Sequence, residues 1–461
     1  MTNGFDCTGM RVTVVGLARS GLAACKALHE RGAVVTATDR QTADRLGPEL
    51  EMLRTRGVRI EAGGHSAESF RDAELIVISP GVPTEMPLLE EARRRGTPVW
   101  GEVELAYRLT AARFLAVTGT NGKSTTTSLL GAMLEAAQFP VVVAGNIGTA
   151  LCEVVPGLPA SHWIVAELSS FQLETIQTFR PHVALLLNLA PDHLDRYPDP
   201  APYYAAKRRI FLNQTSEDFA VVNADDPPAL AAAEGLPSRL LLFSRTRVVG
   251  DGAYVREGRL LVRREGRTTK VCDVEAIRIS GLHNLENSLA AAAAAAAIGV
   301  PAPALAQALA TFPGLPHRLE LVGEIRGVRF VNDSKGTNVA AVLKSLEGYR
   351  EGVILILGGK DKGGDFTALA PLIQTRVRRL LLLGQARKKI ADQLGGVCPM
   401  EEVASLPAAV ARGLELGVPG DTVLLSPACA SFDMFRDFEH RGDAFREAVR
   451  ELRQRMEGDR G

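Results

Sequence analysis

The stretch that decides the fold is A-V-T-G-T-N-G-K-S-T, residues 116–125, which lies between a β-branched run and a helix-forming segment. Glycines at 119 and 122 let backbone N–H groups converge on a phosphate, and the helix that follows adds positive potential. Lys123 can neutralise charge at the β and γ oxygens, and Ser124 or Thr125 offers a hydroxyl to Mg²⁺. Val117 stands where the full Walker pattern has glycine, so the stretch predicts a variant phosphate loop. Its expected nucleotide-binding residues are Gly119, Thr120, Asn121, Gly122, Lys123, Ser124 and Thr125.

Outward from this loop, short β-branched runs alternate with helix-length segments, which is typical of parallel sheets with crossover helices. The predicted fold class is therefore α/β, with three units in series. Strands are predicted at 114–118, 141–144, 163–167, 183–187 and 220–222, with hairpin-like spacing over 251–279. The N-terminal unit has strands at 11–16, 34–39 and 75–79 and ends near 98–101, and the C-terminal unit has strands at 328–332, 353–357, 379–383 and 422–426.

Composition excludes several classes of protein. The chain has 461 residues, a length typical of about three domains. Of these residues, 46% are hydrophobic and 23% are charged, which is the average composition of globular proteins. The chain has 53 Lys and Arg residues and 53 Asp and Glu residues, so its formal net charge is zero. Non-specific electrostatic binding of nucleic acid is therefore not expected. The six cysteines contain no C-x-x-C pair, which favours a reducing compartment over a zinc site or disulfides. Without a charged-then-apolar leader or a run of ~20 apolar residues, a cytoplasmic protein with no membrane span is expected.

Two polar clusters follow strands of the central unit, E-L-S-S-F-Q-L-E at 167–174 and N-L-A-P-D-H-L-D at 188–195. Because the carboxyl ends of parallel strands meet at one edge of a sheet, Glu167 and His193 are expected beside the phosphate loop. There they would serve as Mg²⁺ ligands or orient them, although each cluster alone is more often a capping or loop group. Lys207, in a helix predicted over 203–211, belongs by composition to a solvated basic face.

The remaining glycine-rich turns leave two interpretations open. G-L-A-R-S-G at 16–21 is a weak dinucleotide fingerprint because Ala18 replaces the second glycine, so a structural turn and a nucleotide site are nearly equally supported. Asp39, at the end of the next strand, is where a ribose or base ligand would stand, and S-P-G-V-P at 79–83 either lines the same pocket or turns the chain. N-D-S-K-G-T-N at 332–338 and G-G-K-D-K-G-G-D at 358–365 suit an anionic substrate or are ordinary loops.

The ordered motifs resemble those of the Mur ligases of bacterial cell-wall synthesis over essentially the whole length. They are G-T-N-G-K-S-T, A-E-L-S-S-F-Q-L-E, N-x-x-x-D-H-L-D-R-Y, Y-x-x-A-K, G-x-H-N-x-x-N, P-H-R, N-D-S-K-G-T-N and S-P-A-C-A-S-F-D-M-F. The tail at 430–445 looks like that of the family member that adds D-glutamate to UDP-N-acetylmuramoyl-L-alanine. The resemblance implies a Rossmann-like domain for the UDP substrate at 1–101, a central P-loop-type ATPase domain with a mainly parallel sheet at 102–314, and a Rossmann-like amino-acid-binding domain at 315–461.

The resemblance also implies roles for individual residues. Those implied to contact uracil, ribose or pyrophosphate are Leu17, Ala18, Asp39, Arg40 and Gly81, with Asn146 and His193 on the muramoyl side. The implied Mg²⁺ ligands are Ser124, Glu167, His193 and Lys207, and the implied catalytic residues are Lys123, Glu167, His193 and Lys207, with Lys207 as a carbamate that holds a second ion. Asn284, Asn287, Arg318, Asp333 and Lys335 would complete the nucleotide site, and Thr337, Lys362, Ser431 and Phe438 would hold D-glutamate.

The implied reaction is ATP-dependent amide-bond formation through an acyl phosphate, in cytoplasmic peptidoglycan precursor synthesis. Its partners would be UDP-N-acetylmuramoyl-L-alanine, D-glutamate and ATP with two Mg²⁺ ions, and a monomer is expected. Three alternatives remain: a sister or folylpolyglutamate-type ligase with another amino-acid specificity, an NAD-dependent dehydrogenase, and a non-catalytic nucleotide-gated binding module. Ala18 and the separate phosphate loop count against the dehydrogenase. Lys123 together with Glu167, His193 and Lys207 counts against the binding module.

Overall fold

The structure is a computed structural model that describes residues 5–193, 196–197 and 199–458, without the side chains of 457 and 458. Leu194 and Asp195, the last two residues of the second predicted polar cluster, lie outside the described residues. The strands are β1 (Arg11–Val15), β2 (Val34–Asp39), β3 (Arg59–Ala62), β4 (Leu75–Ile78), β5 (Val99–Gly101), β6 (Arg113–Thr118), β7 (Val141–Gly145), β8 (Trp163–Glu167), β9 (Val183–Leu186), β10 (Phe219–Asn223), β11 (Arg239–Ser244), β12 (Gly252–Arg256), β13 (Arg259–Arg264), β14 (Arg267–Asp273), β15 (Glu320–Ile325), β16 (Val328–Asn332), β17 (Val353–Gly358), β18 (Val377–Leu383), β19 (Met400–Glu402) and β20 (Thr422–Leu425).

The helices fill most of the intervals between strands. They are α1 (Arg19–Glu30), α2 (Ala43–Leu46), α3 (Glu49–Thr55), α4 (Ala67–Arg71), α5 (Pro87–Arg94), α6 (Glu102–Leu109), α7 (Lys123–Ala136), α8 (Leu151–Val154), α9 (Ser170–Leu173), α10 (Pro200–Arg208), α11 (Pro227–Ala232), α12 (Leu282–Ala297), α13 (Ala302–Thr311), α14 (Val339–Glu347), α15 (Ala370–Arg376), α16 (Arg387–Gln393), α17 (Leu406–Leu416) and α18 (Phe438–Gly458). Short 3₁₀ turns lie at Arg209–Phe211, Val274–Ala276 and Phe366–Leu369.

The first sheet has the order β3-β2-β1-β4-β5, and its strands are parallel. The order reverses at β1, so the crevice beyond the carboxyl ends of β1 and β4 is the position where open α/β sheets bind ligands. Both the G-L-A-R-S-G turn and the S-P-G-V-P turn leave the sheet at this crevice. The expected Rossmann-like arrangement is confirmed.

The second sheet has the order β14-β13-β12-β11-β10-β9-β6-β8-β7, parallel from β7 to β12. Strands β12, β13 and β14 pair antiparallel, which confirms the hairpin-like spacing predicted for that stretch. The phosphate-loop strand β6 lies between β8 and β9 and is buried from Phe114 onward, as a central parallel strand covered on both faces should be. The loops after β6, β8 and β9 therefore share one edge.

The third sheet has the order β15-β16-β20-β17-β18-β19, antiparallel only at β15 and β16. By its contacts the chain divides into two compact units: one runs up to Ala276 and includes Asn287–Ala310, and the other comprises Ile277–Glu286 and the residues from Thr311 on. The first two sheets fall in the first unit, where a continuous apolar cluster joins Leu28 of α1, Leu105 of α6 and Phe114 of β6. The three-domain α/β class is thus confirmed, while the domain boundaries 1–101, 102–314 and 315–461 stay a prediction.

Three further findings concern the described residues. The cysteines there are all free thiols. Among the described helices, none combines the length and the apolar character required to cross a bilayer. The helix predicted over 203–211 is α10, and its last turn tightens into 3₁₀ geometry at Arg209–Phe211.

Candidate active site

The phosphate loop leaves β6 and enters α7 through two glycines with positive φ. Gly119 has φ +153° and Gly122 has φ +83°, conformations that residues with a Cβ rarely adopt. A Cβ on Gly122 would lie 2.3 Å from Asn287 Oδ1, so the position also lacks room for a side chain. Asn287 Oδ1 in turn accepts a hydrogen bond of 3.2 Å from Thr126 Oγ1, which ties α12 to the phosphate-loop helix.

A second loop holds the phosphate loop in shape. Asn188, just after β9, accepts from Asn121 N at 2.8 Å with its Oδ1 and donates from Nδ2 to Asn121 O at 3.1 Å. Thr120 N donates to Asn188 O at 3.0 Å, and Thr120 Oγ1 bonds the backbone of Ala190. Asn188 was not among the predicted site residues, although its position after a buried strand beside the phosphate loop was a usable signal.

Two lysines converge on one carbonyl of this loop. Lys123 Nζ donates to Gly119 O at 2.9 Å and to Thr120 O at 3.0 Å, and Lys207 Nζ donates to the same Gly119 O at 2.8 Å. Lys207 is only 1% exposed and lies 4.6 Å from the centre of the Tyr203 ring. Burial, reinforced by the charge of Lys123, lowers the pKa of Lys207 well below its usual value, against the opposing pull of Asp192 and Glu167.

Lys207 does not lie on the solvated basic face that the neighbouring arginines suggest. Arg208, the next residue, is exposed, whereas Lys207 is enclosed, so the basic run does not lie on one solvated face. A buried lysine with a lowered pKa spends more of its time as the neutral, nucleophilic amine.

Glu167 ends β8 and is 2% exposed. Its Oε1 accepts from Asn146 Nδ2 at 2.8 Å, and Asn146 N donates to Glu167 O at 2.9 Å. The other oxygen, Oε2, is buried and has no hydrogen-bond partner among the described residues. A buried carboxylate oxygen left in this state is a natural ligand for a cation.

His193 lies in an aromatic setting and has a left-handed backbone with φ +54°. Its ring centre is 5.0 Å from that of Phe171 and 6.1 Å from that of Tyr203. Its backbone N donates to Asp192 Oδ1 at 2.9 Å. The aromatic neighbours hold the imidazole by packing and leave its role as a metal ligand a prediction.

The donor set at this edge fits Mg²⁺ bound together with phosphates. In the described part of the chain, no three His, Cys, Asp or Glu side chains cluster closely enough to form a protein-only metal cage. Mg²⁺ usually binds through one or two carboxylates plus substrate phosphates. Glu167 Oε2, which has no hydrogen-bond partner among the described residues, and the hydroxyl of the buried Ser124 are donors of the kind that such a site uses.

The first glycine loop, in the crevice of the first sheet, is also tightly built. Gly16 has φ +87°, and a Cβ there would lie 2.8 Å from Val82 Cγ2. Asp39, 6% exposed, accepts from Leu17 N at 2.7 Å, and Ser79 Oγ donates to Gly16 O at 2.7 Å. The structure thus brings the 16–21 turn, Asp39 and the 79–83 turn together.

The other residues predicted for the sugar nucleotide differ in their exposure to solvent. Ala18, Arg40, Gly81 and Asn146 are exposed, while Leu17 is buried. Ala18 has φ −73° and ψ −177°, an extended conformation open to any residue, so the loop does not require glycine there.

In the second unit, Asp333 follows β16 and is 7% exposed. Its Oδ2 accepts from Ser345 Oγ and from Ser426 Oγ, each at 2.7 Å, and its Oδ1 accepts from Leu319 N at 3.3 Å. Burial raises the pKa of Asp333 to about 6, while these hydrogen bonds and the charge of Arg318 oppose the rise.

Of the residues predicted to hold D-glutamate, Thr337, Lys362 and Ser431 lie on three loops at the carboxyl ends of strands of this unit, and Phe438 begins α18. Lys335 Nζ lies 3.7 Å from the centre of the Phe438 ring, and Thr337 N donates to Lys335 O at 2.8 Å. Ser431 is 2% exposed, and Lys362, on the loop after β17, is exposed. The structure brings Lys335 and Phe438 into contact. Among the described residues, no hydrogen bond or ring contact joins Lys362 to these two side chains.

Arg441 is a further residue of this cluster that the sequence did not single out. It is 2% exposed, donates to Ser334 Oγ at 2.9 Å and Ser334 O at 2.8 Å, and reaches Cys429 O at 3.1 Å. Burial lowers its pKa to about 10. The burial of Arg441 arises only in the fold, so no local pattern in the sequence marks this residue as a bridge between segments.

Asn284 and Asn287 lie on the same helix, α12, in different units by their contacts. Asn284 is 7% exposed and donates from Nδ2 to Ser280 O at 2.8 Å. That Asn284, Arg318, Asp333 and Lys335 complete a nucleotide site with the phosphate loop stays a prediction.

Taken together, a doubly wound sheet, a phosphate loop and a buried lysine–carboxylate edge define a nucleotide-dependent α/β enzyme. In a comparison with known protein families, three ranges of the chain match domains of one family. Residues 10–101 match the Mur ligase MurD-like N-terminal domain, residues 117–295 the Mur ligase middle domain, and residues 317–429 the Mur ligase glutamate ligase domain.

Similar proteins match along nearly their entire length. A UDP-N-acetylmuramoylalanine–D-glutamate ligase of Acidobacterium capsulatum is 47% identical over 443 residues, 96% of each chain. One of Koribacter versatilis is 43% identical over 447 residues, 97% of this chain and 98% of that protein. The chain belongs to the Mur ligase family.

Solved structures show the same fold at low identity. A pseudomurein peptide ligase type C from Methanothermus fervidus aligns with a TM-score of 0.61 at 17% identity, over 96% of this chain and all of that one (100%). A UDP-N-acetylmuramate–alanine ligase from Thermotoga maritima aligns with a TM-score of 0.57 at 19% identity and the same coverage of 96% and 100%.

Proposed function

We propose that the protein joins D-glutamate to UDP-N-acetylmuramoyl-L-alanine, with ATP converted to ADP and phosphate. The family to which the chain belongs uses ATP and Mg²⁺, and the relatives that match nearly the whole chain bear the name of this D-glutamate ligase. The observation that carries the chemistry is the convergence of Lys123 and the buried Lys207 on Gly119 O.

The proposed chemistry follows from charge. A carboxylate is a poor electrophile, so its oxygen first takes the γ-phosphoryl group of ATP, and an acyl phosphate and ADP result. The amine of D-glutamate then attacks the acyl carbon, the tetrahedral intermediate releases phosphate, and an amide remains. Mg²⁺ supplies electrostatic stabilisation of the transferred phosphoryl group.

The residues of the chain have separate parts in this proposal. The N–H groups of the phosphate loop and the Lys123 ammonium bind the ATP phosphates and offset the charge that grows during transfer. Glu167 and Ser124 would hold the first Mg²⁺ with His193, and Asn146 orients Glu167 through its 2.8 Å hydrogen bond. Exclusion of water from the acyl phosphate protects it from hydrolysis.

Lys207 is proposed to act as a carbamate. An ammonium buried beside Lys123 is repelled, whereas the neutral amine adds CO₂ to form a carbamate and release a proton, which reverses the sign of the side chain. The carbamate oxygens would then accept a second Mg²⁺ beside Glu167. The lowered pKa of Lys207 supports the first step because only the neutral amine reacts with CO₂.

A coupled phosphate-release assay tests the function. Purified protein with UDP-N-acetylmuramoyl-L-alanine, ATP and Mg²⁺ should release phosphate when D-glutamate is added and far less with L-glutamate. Two fixed carboxylates leave only one enantiomer with its amine directed at the acyl carbon. Equal turnover of both enantiomers, or preference for L-alanine, diaminopimelate or a dipeptide, would overturn the assigned specificity.

A further inference from the structure

Two arginine side chains connect loops of the first sheet with loops of the second sheet. One arginine belongs to the first sheet's side and the other to the second sheet's side. Arg19, at the start of α1, donates from its guanidinium to Gly148 O at 2.5 Å and to Gly145 O at 3.4 Å. Arg196, in the loop after β9, donates from Nη1 to Pro80 O at 3.3 Å. Each arginine therefore begins in one candidate substrate loop and ends on the backbone of another.

The loop that receives Arg19 has little freedom of its own. Gly145 has φ +108°, and a Cβ there would lie 2.4 Å from Glu167 O. Asn146, between the two acceptor carbonyls, donates to Glu167 Oε1. A shift of this loop would therefore change the position of Asn146 against Glu167.

The far end of the same loop is also anchored. Glu102, at the start of α6, accepts from Cys152 N at 2.7 Å where α8 begins, and α8 packs on α1. Burial raises the pKa of Glu102 to about 7, while the hydrogen bond from Cys152 N and the charge of Arg19 oppose the rise. Arg19 and Glu102 thus fix the two ends of the 145–152 segment to elements of the first sheet and the helix that follows it.

The guanidinium of Arg196 is held by side chains close to His193. Its Nη2 donates to Glu174 Oε2 at 2.7 Å, and its guanidinium lies 4.2 Å from the centre of the Phe171 ring. Phe171 is the ring that packs on His193. The contact with Pro80 therefore links the 79–83 turn to the packing around His193.

We propose that Arg19 and Arg196 are positioning residues that set the distance between the sugar-nucleotide loops and the phosphate-transfer edge. This inference rests on the proposed function, because the carboxylate to be phosphorylated lies at the far end of a substrate held by the first sheet. Both guanidiniums donate to backbone carbonyls of these loops, so each acts through the loop that it holds. Displacing a reacting carboxylate by about 1 Å can cost on the order of a hundredfold in rate.

The test compares Arg19→Ala, Arg19→Lys and Arg196→Ala with a matched control, Arg45→Ala, which removes an exposed arginine from α2. Amide hydrogen exchange over 145–152 should quicken about threefold or more in Arg19→Ala and remain unchanged in Arg45→Ala. The kcat for ADP formation should fall about tenfold in Arg19→Ala and in Arg196→Ala, with KM for ATP within about twofold. Arg19→Lys keeps the positive charge and a hydrogen-bond donor, so its exchange rate and its kcat should lie between those of the unaltered protein and those of Arg19→Ala. It replaces Arg19→Ala in the comparison if the alanine variant does not fold.

The outcomes separate this inference from the function on which it rests. Unchanged exchange together with unchanged kcat overturns the positioning role. A rise in KM for the sugar nucleotide alone also overturns it, since Arg19 would then be a ligand. If the unaltered protein makes no amide, the proposed function fails, and faster exchange over 145–152 in Arg19→Ala would still support the anchoring.

Discussion

The two glycine loops that begin α1 and α7 have the same local plan and different surroundings. Each follows a parallel strand and turns on glycines with positive φ, +87° at Gly16 and +153° at Gly119. Around the second loop lie two buried ionisable side chains, Lys207 and Glu167, at 1% and 2% exposure. Around the first lies Asp39, whose two oxygens accept backbone N–H groups of Leu17 and Gln41. Both turns are expected to bind phosphate groups, and the side chains on the neighbouring strands and helices determine whether a reaction can follow.

The difference begins with single residues. Gly21, the last glycine of the first loop, is followed by Leu22, and Gly122 of the phosphate loop is followed by Lys123. A backbone turn can bind a diphosphate without consuming it, while transfer of a phosphoryl group requires charge that compensates the transition state. In the proposed function, the first loop binds the sugar nucleotide and the second binds the phosphates that take part in the reaction.

Lys123→Ala should separate the two loops most strongly. ADP formation should fall by roughly a thousandfold or more, because the charge at the transferred phosphoryl group is lost. Calorimetry should show binding of UDP-N-acetylmuramoyl-L-alanine within about twofold of normal, since that substrate is assigned to the first sheet. Equal loss of both would contradict the assignment of one loop to each substrate.

Lys207→Ala should nearly eliminate ligation. Millimolar acetate or formate should restore part of the activity by placing a carboxylate where the carbamate would stand, and removal of dissolved CO₂ should weaken the unaltered protein. Arg208→Ala is the matched control and should matter little, because that side chain is exposed. Near-normal activity of Lys207→Ala in bicarbonate-free buffer would make the second-metal assignment wrong.

Asp39→Asn is the mirror experiment in the first loop. The amide keeps one acceptor oxygen and loses the charge, so one of the two N–H groups bonded at 2.7 Å and 2.8 Å is left without its partner. The sugar nucleotide should bind about tenfold more weakly, which corresponds to about 1.4 kcal/mol. ATP affinity, measured in the same titrations, should not change; a parallel fall would show that Asp39 supports the whole unit.

Ala18→Gly should have the smallest effect. The extended backbone at Ala18 is accessible to alanine, so glycine relieves no strain there and only adds freedom to the unfolded chain. Binding of the sugar nucleotide should stay within about twofold and the melting temperature should fall slightly. A large gain in affinity would mean that the Cβ of Ala18 obstructs the diphosphate.

Much of the fold was predictable because most of the strands are largely buried and carry short runs of β-branched or apolar residues. The predicted strands at 34–39, 163–167 and 328–332 coincide with β2, β8 and β16. The strands left out of the prediction were β3, β5, β11, β15 and β19. Of these, β3, β15 and β19 are edge strands that mix polar with apolar residues, so little in the local pattern marks them.

The site divides in the same way. The phosphate loop and the carboxylate of Glu167 follow from the sequence, because strand, glycine turn and helix are local, and parallel topology brings strand ends to a common edge. The reciprocal arginines were not predictable, since Arg19 and Gly148 are 129 residues apart. Arg441 likewise bridges segments 107 residues apart.

The sequence by itself determined the α/β class, the phosphate loop and the family, because these depend on local patterns and ordered motifs. Only the tertiary structure decided the state of Lys207. Its neighbours in the chain, Arg208 and Arg209, suggest a solvated face, yet the fold buries it at 1% exposure and directs its Nζ to the same carbonyl as Lys123. Burial and a neighbouring charge are properties of three-dimensional proximity, and they determine whether a lysine is a surface cation or a reactive amine.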